Sequence, residues 1–322
     1  MTWLLIRTGR AVITLFLLLA FAFFALAASG DPAVILLGPD TSQAALDAFR
    51  EKWGLDRPLI EQFATYLDGL AHLDFGLSYR TGESALGLVL ERVPVTLSLV
   101  VPTIMISIAV GVPLGAFAAT HRGRALDKFT VILSVVGLAV PTFLLGILGM
   151  YLFSIKLGWL APSGYVDWTS YIMPVGTLSM QVIATYARFT RSAMVEVMAH
   201  PMMDTARASG LGETSIQRVH ALPNALLPLV TITALEFGSF ISYSAIIESV
   251  FGWNGAGALL VASVGARDFA VVQAALILAG ATMIVANLLA DLSYGFIDPR
   301  IRDARLLTGT SLFKLWNRER NA

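Results

Sequence analysis

Three ionisable side chains stand inside otherwise apolar stretches of this 322-residue sequence: Glu236, Glu248 and Asp291. A carboxyl group in such a setting must find a partner, lose its charge or face water, which makes each a candidate for binding or proton relay. An ion-coupled carrier uses several such groups, and two of these three lie near the ends of their stretches. The four histidines, His72, His121, His200 and His220, form no H-x-x-x-H pair and no His–Glu pair at ligand spacing. There is no Cys, which excludes disulfides, Fe–S clusters and thiolate metal sites. No apolar stretch contains a histidine and no H-E-x-x-H occurs, so neither an activated nucleophile nor a metal-bound water is foreseen. The phosphate-cradling pattern G-x-x-x-x-G-K-[ST] is missing as well, so ATP has no P-loop here. No catalytic residue, metal ligand or bound cofactor is expected on this chain.

The elements that must position the three carboxylates are long and apolar. Hydrophobic residues make up 56% of the sequence and charged residues 14%, with a mean hydropathy of +0.73. A soluble domain carries roughly 25% charged residues, so the composition points to a polytopic membrane protein. Lys and Arg together number 22, as do Asp and Glu, so no net field draws the chain to nucleic acid. A crossing helix needs about 20 mostly apolar residues. Six stretches meet that need: 11–29, 93–120, 129–155, 168–187, 224–250 (Glu236, Glu248) and 269–297 (Asp291). The first includes Ala25-Leu26-Ala27, which has the form of a signal-peptide cleavage box, but its apolar run exceeds a typical signal core and is read as a span.

Sidedness follows from Lys and Arg in short loops. Arg7 and Arg10 precede the first span; Arg122, Arg124 and Lys128 follow the second; Arg188, Arg191, Arg207 and Arg218 follow the fourth. The opposite short loops carry one each, Lys156 and Arg267. Both termini are therefore expected in the cytoplasm. The division is 1–29 as N-terminal segment and first helix, 30–92 as an extracytoplasmic helical loop, 93–298 as a five-helix core containing a cytoplasmic loop at 191–223, and 299–322 as a cytoplasmic tail.

Within 30–92, Ala45, Phe49 and Trp53 recur near helical spacing. Leu59, Phe63, Tyr66, Leu67 and Leu70 form an apolar face behind Pro58, with Asp56 placed to cap. This layer either packs on the spans or docks an extracytoplasmic partner. In the 191–223 loop, Ala206 and Gly210 stand four apart, as on one helix face, and Gly210 suits a left-handed cap. Thr214-Ser215-Ile216-Gln217 reads as a capping box opening a second short helix, with Ile216, Val219 and Leu222 as its apolar edge. The expected form is a protruding helix–turn–helix fit for a partner's groove.

The run Asp204-Thr205-Ala206-Arg207-Ala208-Ser209-Gly210, followed after nine residues by His220-Ala221-Leu222-Pro223, resembles the EAA loop of binding-protein-dependent ABC importer permeases. Asp204, Thr205 and His220 depart from that pattern, and Pro223 stands where the dipeptide/oligopeptide/nickel branch often has Arg. The resemblance extends through Gly30-Asp31-Pro32-Ala33, Gly54-Leu55-Asp56-Arg57-Pro58-Leu59, Asp74-Phe75-Gly76-Leu77-Ser78, Arg92-Val93-Pro94-Val95-Thr96-Leu97, Glu248-Ser249-Val250-Phe251-Gly252-Trp253 and Asp298-Pro299-Arg300-Ile301-Arg302. Asn254 replaces a usual Pro.

The resemblance implies an all-α type I importer permease with six transmembrane helices in a bacterial inner membrane. Its expected partners are a homologous permease subunit, two cytoplasmic ATPase subunits that hold ATP and Mg, an extracytoplasmic substrate-binding protein and membrane lipid. The cargo would be dipeptides, oligopeptides or a related small solute. Asp204, Thr205, Ala206, Arg207, Ala208, Gly210, Leu222 and Pro223 would couple to the ATPase. The alternative is a stand-alone ion-coupled secondary carrier.

For the carboxylates, position decides the expectation. Glu236 is the thirteenth residue of its 27-residue stretch, near the midplane, where a charge costs about 2.5–3.5 kcal/mol on insertion scales. With Ser239, Phe240, Tyr243 and Ile247 at helical spacing, it would line a passage favouring cationic substrates, or sit protonated against a neighbouring helix. Glu248, beside Trp253 at the outer end, would reach interfacial water and either brace the short apolar segment 255–264 or serve as an outer gate. Asn287, Asp291 and Tyr294 share a face as a packing strut or a substrate contact.

Overall fold

The computed structural model describes residues 2–297, and among them the chain is all-α, with one isolated β-bridge between Leu77 and Ser84. The 299–322 tail and the Asp298–Pro299 turn lie outside the described residues, as do the side chains of Asp291 and Tyr294.

Helix α1 (Thr2–Ala28) leads into a cap of three short helices, α2 (Pro32–Leu37), α3 (Gln43–Trp53) and α4 (Leu59–Ala71). Asp31 and Ser42 cap α2 and α3 through side-chain oxygens. Asp56 does not cap α4; Pro58 itself occupies the N-cap, with no side-chain bond. The apolar face of α4 packs on α1, with the Phe63 ring 5.1 Å from Phe23 and 5.3 Å from Phe24. Packing on the spans is thus what this face does within the chain.

The bundle hangs on α5 (Ala85–Thr120), which lies along α8 (Ile172–Met198). Gly111 and Gly115, four apart, make this approach possible. A Cβ on Gly111 would stand 2.8 Å from Tyr186 Cβ, and one on Gly115 would strike the Ala187 carbonyl. Small residues at this spacing are how helices meet closely in lipid.

The expected third span is broken. α6 (Ala125–Ala139) ends before Val140-Pro141, and α7 (Thr142–Gly149), continued by a π-helical turn Met150–Lys156, leaves at 93° to it. Val140 is extended (ψ 123°), as a residue before proline prefers. The expected fourth span is longer than foreseen, because α8 runs past Arg188 and Arg191 to Met198.

Helix α9 (Pro201–Ala208) and the short α10 (Glu213–Ser215) form a hairpin, continued by a π-helical turn Ile216–Ala221 into α11 (Leu222–Gly238). The fifth expected span breaks at Ser239 into α11 and α12 (Phe240–Val250); α13 (Ala256–Ala266) folds back beside α12, and α14 (Phe269–Ile297) closes the described chain. Among the described residues, three helical stretches are long and apolar enough to cross a membrane, or four when the bent α6–α7 pair counts as one.

Candidate functional site

The α9–α10 hairpin lies at the end of the bundle opposite the cap. Its root is a buried cluster of Met194, Met203, Ile216, Ala221 and Ala225, backed by Ala116 and Ala119 of α5. Gly210 has φ +80° and stops α9: its amide donates to the Arg207 carbonyl at 3.0 Å, while that of Leu211 donates to Ala206 at 3.3 Å. This paired pattern is a Schellman cap, which glycine forms without strain. A Cβ on Gly210 would meet nothing within 4 Å, so its backbone angle is the requirement. Arg207 stitches the hairpin, donating to Asp204 at 2.8 Å and Glu213 at 2.6 Å.

Two expectations for the hairpin are corrected. The second helix opens at Gly212 with no side-chain cap, so Thr214-Ser215-Ile216-Gln217 is not a capping box. The reason is that Ile216 is needed in the root cluster, which places the helix start earlier. The supposed shared face also divides: Ala206 packs half-buried on the root, whereas Asp204, Thr205, Arg207, Ala208 and Gly210 are exposed. Of the predicted apolar edge, Ile216 is fully buried and Val219 is 62% exposed. Leu222 and Pro223 begin α11; Leu222 packs half-buried on the root, whereas Pro223 is exposed.

Glu248 is fully buried and does not reach interfacial water. The fold-back of α13 encloses it. Gly257 makes this possible, since any Cβ there would press on the α12 backbone at Ala245. The carboxylate accepts from Thr96 Oγ1 at 2.6 Å and from the Ala258 amide at 2.8 Å; Thr96 Oγ1 in turn accepts from the Ala256 amide at 2.9 Å. Together they take two of the otherwise orphaned donors at the start of α13, where the helix dipole favours an anion. Gly255 is forced by the same contact, because a Cβ there would overlap the carboxylate. Trp253 is 4% exposed; its amide donates to the Glu248 carbonyl at 2.7 Å, and its ring lies 4.9 Å from that of Tyr171.

Glu236 is half-buried and makes no hydrogen bond or ion pair among the described residues, so the neighbouring-helix bond foreseen for a protonated form is not made. It lies close enough to Tyr186 and Tyr243 to act on both electrostatically. Tyr186 shares a 2.7 Å hydrogen bond with Thr233, and Tyr243 donates to the Leu178 carbonyl at 3.3 Å. Ser239 is a single turn residue through which the backbone bonds continue, its amide donating to the Leu235 carbonyl and its carbonyl accepting from the Tyr243 amide, both at 3.0 Å. Glu236 and Tyr243 therefore stay near each other across it. The Ser239 hydroxyl donates back to the Leu235 carbonyl at 2.8 Å and touches Met283. Phe240 joins Val100, Ile104 and Ile241, and Ile247 joins Leu99 and Leu178.

Two tertiary anchors carried no readable local signal. Asp127 accepts from Arg191, one contact measuring 2.9 Å, tying α6 to α8. Asp268 accepts from the Ser78 hydroxyl and, at 3.2 Å, from the Tyr79 amide, tying the cap to the head of α14. No group of three or more His, Asp or Glu among the described residues is placed to hold a metal ion.

The family model "binding-protein-dependent transport system inner membrane component" matches residues 111–303, and its N-terminal companion matches residues 1–100. Over 290 residues the chain is 38% identical to the glutathione transport system permease protein GsiC of Escherichia coli (strain K12), covering 90% of this chain and 95% of that one. The protein of the same name from Shigella dysenteriae serotype 1 (strain Sd197) matches to the same extent. The matches run from the cap through the hairpin to the end of α14, over an all-α membrane fold. The chain belongs to the binding-protein-dependent transport system inner membrane components, the permease subunits of ABC importers.

Proposed function

We propose that this permease carries short peptides or closely related solutes inward and takes its driving force from separate ATPase subunits through the α9–α10 hairpin. The observation that carries the reading is the hairpin's division of labour. Met203 and Ile216 bury its root against α5 and α8, while Asp204, Thr205, Arg207 and Ala208 stay exposed. A rigidly rooted, outward-facing helix transmits a push from a partner to the span bundle. Two ATPase subunits holding ATP and Mg, a homologous permease subunit and an extracytoplasmic binding protein complete the assembly. The relatives named for glutathione transport support a small peptide as cargo. Six crossings, α1, α5, α6–α7, α8, α11–α12 and α14, with α13 re-entrant, put both termini and the hairpin on the cytoplasmic side, as the Lys and Arg distribution requires.

Gentle detergent extraction tests the reading: ATPase subunits should co-purify with the chain, and nucleotide should drive peptide uptake after reconstitution. Uptake by an ATPase-free preparation on an ion gradient would establish the carrier alternative instead. The coupling step has its own test in Gly210→Val. A β-branched residue at φ +80° is strained, yet no neighbour is struck. Insertion and assembly should persist while ATP-driven uptake falls at least tenfold; unchanged uptake removes the hairpin from the mechanism.

A further inference from the structure

At the hairpin end of the bundle, a cavity of about 390 Å³ lies between the C-terminal turns of α5 and the second limb of the hairpin. Pro113, Phe117 and His121 line it from α5, and Thr214, Gln217 and Arg218 from the hairpin. Both ionisable side chains on its walls, His121 and Arg218, are basic, and no acidic one lines it. Acids of the flanking segments are already taken, Asp127 by Arg191 and Glu213 by Arg207. The side chains of Thr214, Gln217 and Arg218 make no hydrogen bond or ion pair among the described residues, so their donors are open to a ligand. An apolar track leads into the cavity along α5. Ile106, Val110, Pro113 and Phe117 share one helix face and all are exposed, Phe117 by 60%. At 1.5 Å per residue this track is about 16 Å long, close to half of the ~30 Å hydrocarbon core. The charge-free stretch 93–120 stops where the cavity lies, and His121, Arg122 and Arg124 follow at once. The cavity therefore stands at headgroup depth.

We propose that this cavity holds the headgroup of an anionic phospholipid from the cytoplasmic leaflet, with its phosphate between Arg218, Gln217 and His121 and an acyl chain on the α5 track. Cationic donors joined to an exposed apolar track are matched by an amphiphile; a free anion satisfies only the first. Basic pockets between crossing helices on the cytoplasmic side suit such headgroups. A zwitterionic headgroup fits less well, because it brings its own cation to walls that offer two basic side chains and no acid. Since α5 and the hairpin supply opposite walls, a bound phosphate bridges them. The lipid thereby braces the second limb of the hairpin against α5 and improves the transfer of a push on α9 to the spans. The inference rests on the cytoplasmic placement of this end proposed above and not on the cargo.

The test uses the assembled importer in phosphatidylcholine nanodiscs carrying a trace of phosphatidylglycerol with a photoreactive acyl chain. Label should fall on residues 106–117. Unlabelled phosphatidylglycerol should suppress it, and inorganic phosphate should not. Arg218 is exposed, so Arg218→Gln leaves folding intact. It should lower labelling about fivefold, the share of one basic side chain at a membrane surface, and Arg218→Lys should restore it. Lys128→Gln, which removes an exposed cation outside the cavity, should change nothing. In proteoliposomes, phosphatidylglycerol should raise ATP-driven uptake by the wild type and not by Arg218→Gln. No label on 106–117, as when the homologous permease covers the track, overturns the proposal. So does unchanged labelling in Arg218→Gln, or an equal loss in Lys128→Gln. Suppression by inorganic phosphate makes this a free-anion site and overturns the lipid assignment. Equal lipid dependence of uptake in the two proteins overturns the bracing role. Sidedness has its own check: the chain has no Cys, so Lys128→Cys is unique in it and should be closed to an impermeant thiol reagent in whole cells. Reaction there overturns the sidedness and with it the leaflet. Failure at the cavity alongside co-purified ATPases and working uptake would leave the importer reading intact.

Discussion

The two halves of the broken fifth span treat a glutamate in opposite ways. On α12, Glu248 is fully enclosed, and its two oxygens accept from Thr96 and Ala258. On α11, Glu236 is half-buried and has no hydrogen-bond partner among the described residues. The difference lies in what packs against each half. Helix α13 folds onto α12 and points its free amides at Glu248, so that carboxylate is spent on holding the fold. Among the described residues, nothing comparable approaches Glu236. Burial and polarity alone do not separate a structural acid from a functional one; the completeness of its hydrogen bonding does.

The largest effect should come from Glu248→Ala. It orphans the Thr96 hydroxyl and the Ala258 amide at about 1–3 kcal/mol each, so melting of the detergent-extracted protein should fall sharply. Glu248→Gln keeps a carbonyl acceptor and should be milder. Gly255→Ala should resemble Glu248→Ala, because the added methyl displaces the carboxylate. A Glu248→Ala protein as stable as wild type would break the contrast at once.

An intermediate effect is expected for Asp127→Ala, which removes the partner of Arg191 but leaves that guanidinium partly exposed, with 27% of its side-chain surface accessible. A loss of about 0.5–3 kcal/mol falls within the ordinary range for a broken tertiary contact. Chemical denaturation should show it as a lower midpoint. A cost as large as that of Glu248→Ala would mean that enclosure matters less than the contrast holds.

Glu236→Gln should change stability least, within ~0.5 kcal/mol, because no bond is lost. Its effect should appear in transport. Uptake of peptides carrying an extra positive charge should drop more than uptake of neutral ones, with ATP hydrolysis still coupled. Equal losses for both, or a marked fall in melting temperature, would place Glu236 with Glu248 as a structural acid.

Legibility followed the range of the interaction. Gly210 was readable because a left-handed cap after a short helix is a local demand that glycine meets. The apolar face of α4 was readable from spacing within one helix, and so was the hairpin from its punctuation. The role of Glu248 was not, because its donors come from residues ten positions later and from Thr96, 152 positions earlier. The division between Ala206 and Gly210 escaped for a related reason: helical spacing places residues on a face but does not say that the chain's own Met203 and Ile216 will occupy it. The stripe from Glu236 to Ile247 was legible only in part, because Phe240 and Ile247 are taken up by the apolar clusters around Val100 and Leu99 from other helices.

By itself, then, the sequence determined the quantities that are sums or short-range patterns. These were the lengths of the apolar stretches, the helical class, the lack of a P-loop, the left-handed stop at Gly210 and the motif order that placed the chain among importer permeases. The tertiary structure alone decided which polar groups were satisfied: Glu248 by α13 and Thr96, Asp127 by Arg191, Asp268 by Ser78 and Tyr79, and Glu236 by nothing among the described residues. The physical reason is that a buried donor or acceptor is matched by whatever the fold brings within about 3 Å. That pairing belongs to distant segments meeting in space and is not written in the residues beside either one.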